Sequence, residues 1–123
     1  MGPREDTALA SQPNSSVRAV RDEGGAVVVE LGGDIDLHRS AELQQELIEL
    51  TERATDRMVL DLSEVPYMDS SGVASLVKLL AHVRRKKCEL KLCSLTDRVR
   101  SMFEITRLDS VFGIFDSVDE ALA

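Results

Sequence analysis

Two alternating stretches open the ordered part of the chain. Val17 to Arg21 alternates apolar with charged residues and predicts a short edge strand. Ala26 to Leu31 predicts a second strand, with Val27, Val29 and Leu31 on one face and Val28 on the other. Asp22-Glu23-Gly24-Gly25 between them predicts a hairpin turn, because glycine takes positive φ at little cost. The period then changes. Ser40 is the expected cap of a helix with Leu43, Leu47, Leu50 and Ala54 on one stripe. Met58 to Leu62 is apolar enough for a buried strand. A second helix follows from Ser70 or Ser71, with the stripe Val73, Leu76, Val77, Leu80 and Val83. His82 should project away from that stripe. Glu89 to Ser94 predicts a fourth strand, and Thr96 the cap of a third helix whose apolar side is Val99, Met102 and Phe103. Val111 to Phe115 predicts a last strand. Ser117 with Glu120 forms a capping-box pattern for a terminal helix, Val118 to Leu122.

Strands joined through helices imply a parallel α/β sheet with right-handed crossovers. The loops leaving the second and third strands then lie on one rim, at the strands' carboxyl ends, where such sheets place their sites. That brings Asp34 and Asp36 toward Asp69, Ser70, Ser71 and Gly72. One of Asp69, Ser70 and Ser71 is needed as a helix cap; three polar residues are a surplus. Both a plain cap and a functional turn fit these residue types. Gly72 at a helix start lowers helix propensity and is easier to explain if a partner chain comes close.

Composition narrows the function. The 123 residues favour one domain, with residues 1–16 as a small, polar, disordered tail and 17–123 as the folded unit. Net charge is −7, which argues against nucleic acid or anionic lipid as the main partner. No apolar run approaches the ~20 residues of a membrane span, and residues 1–16 lack a signal-peptide core, so a cytoplasmic protein is expected. Cys88 and Cys93 should face opposite sides of a strand and remain reduced. Arg84-Arg85-Lys86-Lys87 suits a helix carboxyl end. No P-loop, G-x-G-x-x-G or paired-cysteine metal pattern is present, so no cofactor or metal is expected. A hydrolase built on Ser70, His38 and Asp36 lacks a nucleophile motif such as G-x-S-x-G.

Val59-Leu60-Asp61-Leu62-Ser63, followed by Tyr67-Met68-Asp69-Ser70-Ser71-Gly72-Val73, resembles the central signature of STAS domains, above all the bacterial anti-sigma factor antagonists. Gly33-Asp34-Ile35-Asp36 and the run Val99 to Leu108 resemble further family segments, so the likeness covers about residues 17 to 123. It implies a STAS-type mixed sheet of four to five strands, with helices mainly on one face, and no enzymatic activity. It also implies a partner switch. The unphosphorylated antagonist binds an anti-sigma factor serine kinase and so frees a sigma factor; the kinase phosphorylates the serine after the aspartate, Ser70 here, and a serine phosphatase resets it. Asp34, Asp36, Asp69, Ser70, Ser71 and Gly72 form the implied partner-binding rim, in a monomer or weak dimer. A non-phosphorylated accessory subunit of a transport or signalling complex is the alternative.

Overall fold

The computed structural model describes residues 15–123. The expected tail therefore lies outside the described residues, except for Ser15 and Ser16, which are buried. Strand β1 is Val17–Glu23 and β2 is Ala26–Gly32, paired antiparallel through Gly24 and Gly25, at φ 51° and 91°. Helix α1, Leu37–Leu50, runs into a 3₁₀ turn at Thr51–Arg53. Strand β3 is Arg57–Glu64, α2 is Ser70–Arg85 and β4 is Glu89–Cys93. Helix α3, Asp97–Ile105, leads through a 3₁₀ turn at Leu108–Ser110 to β5, Gly113–Phe115, and α4, Val118–Leu122.

The sheet order is β1-β2-β3-β4-β5, with β2 to β5 parallel. Strands laid down in sequence order by crossovers of one hand must carry all their crossover helices on one face. That face holds the main core. Val27, Val29 and Leu31 of β2, Met58 and Leu60 of β3 and Leu90 and Leu92 of β4 meet Leu43 and Leu47 of α1, Leu76 and Leu79 of α2 and Val99 and Phe103 of α3. The other face carries a smaller cluster, Val28, Val59 and Cys93 under Ala121 of α4. Cys88 belongs to the first cluster and Cys93 to the second, so the two thiols do face opposite sides, and both are free.

The structure departs from the sequence pattern at several positions. Helix α1 starts three residues before Ser40. Asp36 is in the extended region and its carboxylate accepts from His38 N at 3.0 Å, so it takes the cap that a serine further on would have filled. Ser40 is buried inside the helix, and its carbonyl accepts from Ser75 Oγ of α2 at 3.0 Å. Val77 is 39% exposed and Leu79 is fully buried in its place. The buried arc of α2 is turned toward α1, which packs along it, while the shorter α3 leaves the other flank open. His82, two turns beyond Ser75, is half-buried. Its Nε2 is buried without a hydrogen-bond partner among the described residues. Thr96 does head α3, but its hydroxyl donates to Val65 O at 2.9 Å instead of capping the helix. The last strand begins at Gly113, because Phe112 turns inward to meet Phe103 edge-on at 5.3 Å.

Candidate functional site

The two rim loops are zipped together. Ile35 N donates to Tyr67 O at 3.0 Å and Asp69 N donates to Ile35 O at 3.1 Å, a one-rung continuation of the β2–β3 ladder past the strands. Gly33 N donates to Glu64 O at 2.9 Å behind it. The rung sets the amino ends of α1 and α2 beside each other, each capped by an aspartate: Asp36 for α1 and Asp69 for α2. The proximity inferred from topology is thus present for Asp36, Asp69, Ser70, Ser71 and Gly72. Asp34 is exposed on the same loop, one residue before the rung. Two further ties hold the β3–α2 loop to α3: the Thr96–Val65 hydrogen bond, and the Arg98 guanidinium 5.2 Å above the Tyr67 ring.

The polar turn divides its labour. Asp69 Oδ1 accepts from Ser71 N at 2.9 Å, from Gly72 N at 3.2 Å, and from the Ser71 hydroxyl. The Ser71 hydroxyl, with smaller help from backbone N–H groups, holds the Asp69 carboxyl below the usual carboxylate range. Val73 N is taken by Asp69 O at 3.1 Å. Ser70 is the residue left over. It is the first residue of α2, exposed, and its hydroxyl makes no hydrogen bond with a described residue.

Gly72 has an internal reason. It is buried, and a Cβ there would lie 2.6 Å from Met68 Cγ, 2.9 Å from Ile35 Cγ2 and 3.0 Å from Ile35 O. Close approach does require glycine, but the approaching groups belong to the same chain: Met68 of the loop leading into α2 and Ile35 of the neighbouring loop. The nucleophile set of Ser70, His38 and Asp36 is not assembled. Asp36 is engaged by the His38 backbone, and no hydrogen bond among the described residues joins the His38 ring to either partner.

Apolar exposure beside Ser70 was not legible from periodicity. Leu37 at the head of α1 is 74% exposed and Ile105 at the end of α3 is 80% exposed. Between α2 and the end of α3 runs an open groove of about 370 Å³, lined by Ser70, Val73, Ala74, Val77, Thr106 and Leu108 with Lys78 at its edge. Val77 fits the core stripe by spacing, and only the position of α3 turns it outward.

Residues 18–121 match the family model described as the STAS domain. This chain belongs to the STAS family. Among the relatives it resembles, the anti-sigma-B factor antagonist of Bacillus subtilis is 30% identical over 95 residues, 77% of this chain and 86% of that protein. The anti-sigma-B factor antagonist of Staphylococcus aureus is 29% identical over 91 residues, 74% of this chain and 84% of that one. The crystal structure of an anti-sigma factor antagonist from Mycobacterium paratuberculosis superposes with a TM-score of 0.76 at 27% identity, covering 91% of this chain and 95% of that one. No helix among the described residues of this STAS chain is long and apolar enough to cross a membrane.

Proposed function

We propose that this protein is a cytoplasmic anti-sigma factor antagonist whose binding is switched at Ser70. The observation that carries the reading is the unengaged Ser70 hydroxyl, set between a carboxylate rim and an apolar groove. In the unphosphorylated form the rim of Asp34 and Asp36, with the groove at Val73 and Val77, docks on an anti-sigma factor that is also a serine kinase. Exposed apolar residues supply the buried area and the carboxylates select a basic partner surface. The kinase then directs the Ser70 oxygen at the γ-phosphorus of its own ATP. The Oγ–P bond forms, the bond to ADP breaks, and the hydroxyl proton leaves to a base on the kinase. A serine phosphatase returns the hydroxyl by hydrolysis.

The geometry supports a loss of binding on modification. A phosphate at a helix start is usually welcomed by free N–H groups. Here Asp69 already holds the N–H groups of Ser71 and Gly72, so the added charge meets a pinned carboxylate instead. The phosphoryl group stays outside the helix, on the surface a partner must cover.

Incubation with the cognate kinase and ATP should add one phosphoryl group by intact mass, absent in Ser70→Ala. Ser70→Asp should weaken kinase binding by roughly tenfold or more, with an unchanged circular dichroism spectrum. An adduct that survives Ser70→Ala, or undiminished binding in Ser70→Asp, would remove the switch. Tight binding with no phosphoryl transfer would leave a fixed docking subunit.

A further inference from the structure

The end of the molecule opposite the rim carries a second groove, of about 510 Å³, at the edge of the sheet. Its apolar walls are Leu80 of α2, Leu90 of β4, Val111 and Phe115; its charged residues are Arg84, Glu89 and Lys91, the last two an ion pair at 4.0 Å. Val111 is 43% exposed there. The groove exists because β5 is short. Its register with β4 begins at Lys91 opposite Gly113, so Glu89 and Leu90 of β4 run past it with an edge that no described residue pairs.

Beyond the Glu89–Lys91 pair, the charge beside this groove is opposite to that of the chain. In a protein of net charge −7, Arg84, Arg85 and Lys87 are exposed and form no ion pair among the described residues. Lys86 differs: its ammonium donates to Thr51 O at 2.6 Å and lies 3.6 Å from Glu52. A helix carboxyl end favours cations, which accounts for Arg84 and Arg85 in the last turn. Lys87 adds a third exposed cation one residue past the cap. That residue sits just past the helix at φ 62°, a left-handed conformation where glycine is the usual choice.

We propose that this groove is a second docking site, for a short acidic segment of a partner protein in extended conformation. The segment would lie along the open edge of β4, seat an apolar side chain against Leu80 and Val111, and set its carboxylates on Arg84, Arg85 and Lys87. A sheet edge supplies main-chain pairing, and alternate side chains supply specificity. The overall negative charge repels long polyanions such as nucleic acid or an anionic bilayer, while a local basic cluster still attracts a short segment within about one Debye length. The site is remote from Ser70, so it can be occupied in either state of the proposed switch.

The test is fluorescence anisotropy of the whole chain with a fluorescein-labelled octapeptide carrying glutamates at both ends and a leucine–valine centre. Saturable binding is expected, weakening roughly threefold between about 50 and about 300 mM salt. It should fall roughly tenfold in Arg84→Glu/Lys87→Glu and in Val111→Asp, all exposed positions, and persist in Ser70→Asp. Amide shifts on titration should centre on Leu90, Lys91 and Gly113. The proposal is overturned by absent saturation, by indifference to charge reversal, or by equal binding of a lysine-for-glutamate peptide. Loss of binding in Ser70→Asp would move the peptide to the rim and also overturn it. So would sedimentation with phosphatidylglycerol vesicles in the absence of peptide binding.

Discussion

Gly72→Ala tests whether the rim is held by packing between its own loops. On helix propensity alone the change should stabilise the protein, by up to about 1 kcal/mol. The structure predicts the opposite sign. The new methyl group would stand 2.6 Å from Met68 Cγ and 2.9 Å from Ile35 Cγ2, both on nearly inaccessible side chains. It would also stand 3.0 Å from Ile35 O, the backbone acceptor of Asp69 N. Contacts under 3 Å force neighbours to move, and overpacking of this kind costs about 1–3 kcal/mol. After subtracting the full propensity gain, a net loss of up to about 2 kcal/mol is expected, a fall in Tm of up to about 8 °C for a domain of this size. Urea unfolding followed by circular dichroism measures it, with an unchanged slope if the folded state stays compact. The clash also predicts coupling. Met68→Ala alone should cost about 2–4 kcal/mol, and adding Gly72→Ala to it should cost less than in the parent by about 0.5–1 kcal/mol. A Gly72→Ala protein more stable than the parent, or strict additivity with Met68→Ala, would refute the account. Loss of partner binding with stability untouched would restore the external reason for the glycine.

Asp69→Ala should cost about 1 kcal/mol through loss of the α2 cap, and Asp69→Asn less, since an amide oxygen still accepts. Because the folded carboxyl titrates below its unfolded value, its contribution is complete above about pH 4 and is lost as pH falls through the folded pKa; acid unfolding curves of parent and Asp69→Asn should therefore converge at low pH. Glu46 has the reverse sign. It is 7% exposed, Oε2 accepts from Ser15 Oγ at 2.7 Å, Oε1 has no partner among the described residues, and burial pushes its carboxyl up. Its ionisation thus removes stability as pH rises from its unfolded value, about 4.3, through its higher folded value, and Glu46→Gln should abolish that loss in urea midpoints measured from pH 4 to 8. Burial, then Asp61, pushes the Cys93 thiol up to about 11. A thiol-exchange reagent at pH 8 should label Cys93 only when denaturant is added; labelling of the folded protein at the rate of a free thiol would contradict its burial.

Much of this molecule was legible before its structure. Period-two alternation in Val17–Leu31 and helical stripes in Leu43–Leu50 and Val73–Val83 impose their own local geometry. The chain order of those elements, with right-handed crossovers, nearly forces the parallel sheet and its one-sided helix layer. Asp69-Ser70-Ser71-Gly72 marked the site, because polar residues between a buried strand and a helix must cap something. Tertiary structure decided what each of them does. Which of two equivalent caps is used depends on how a loop arrives, so Asp36 displaced Ser40. Whether Val77 lies in the core depends on how far α3 extends. Gly72 turned on the distance to Ile35, 37 positions away in the chain. Local periodicity reports which way a side chain points within its own element; it carries no record of what stands opposite, and that is where the exposed serine, the pinned aspartate and the two grooves came from.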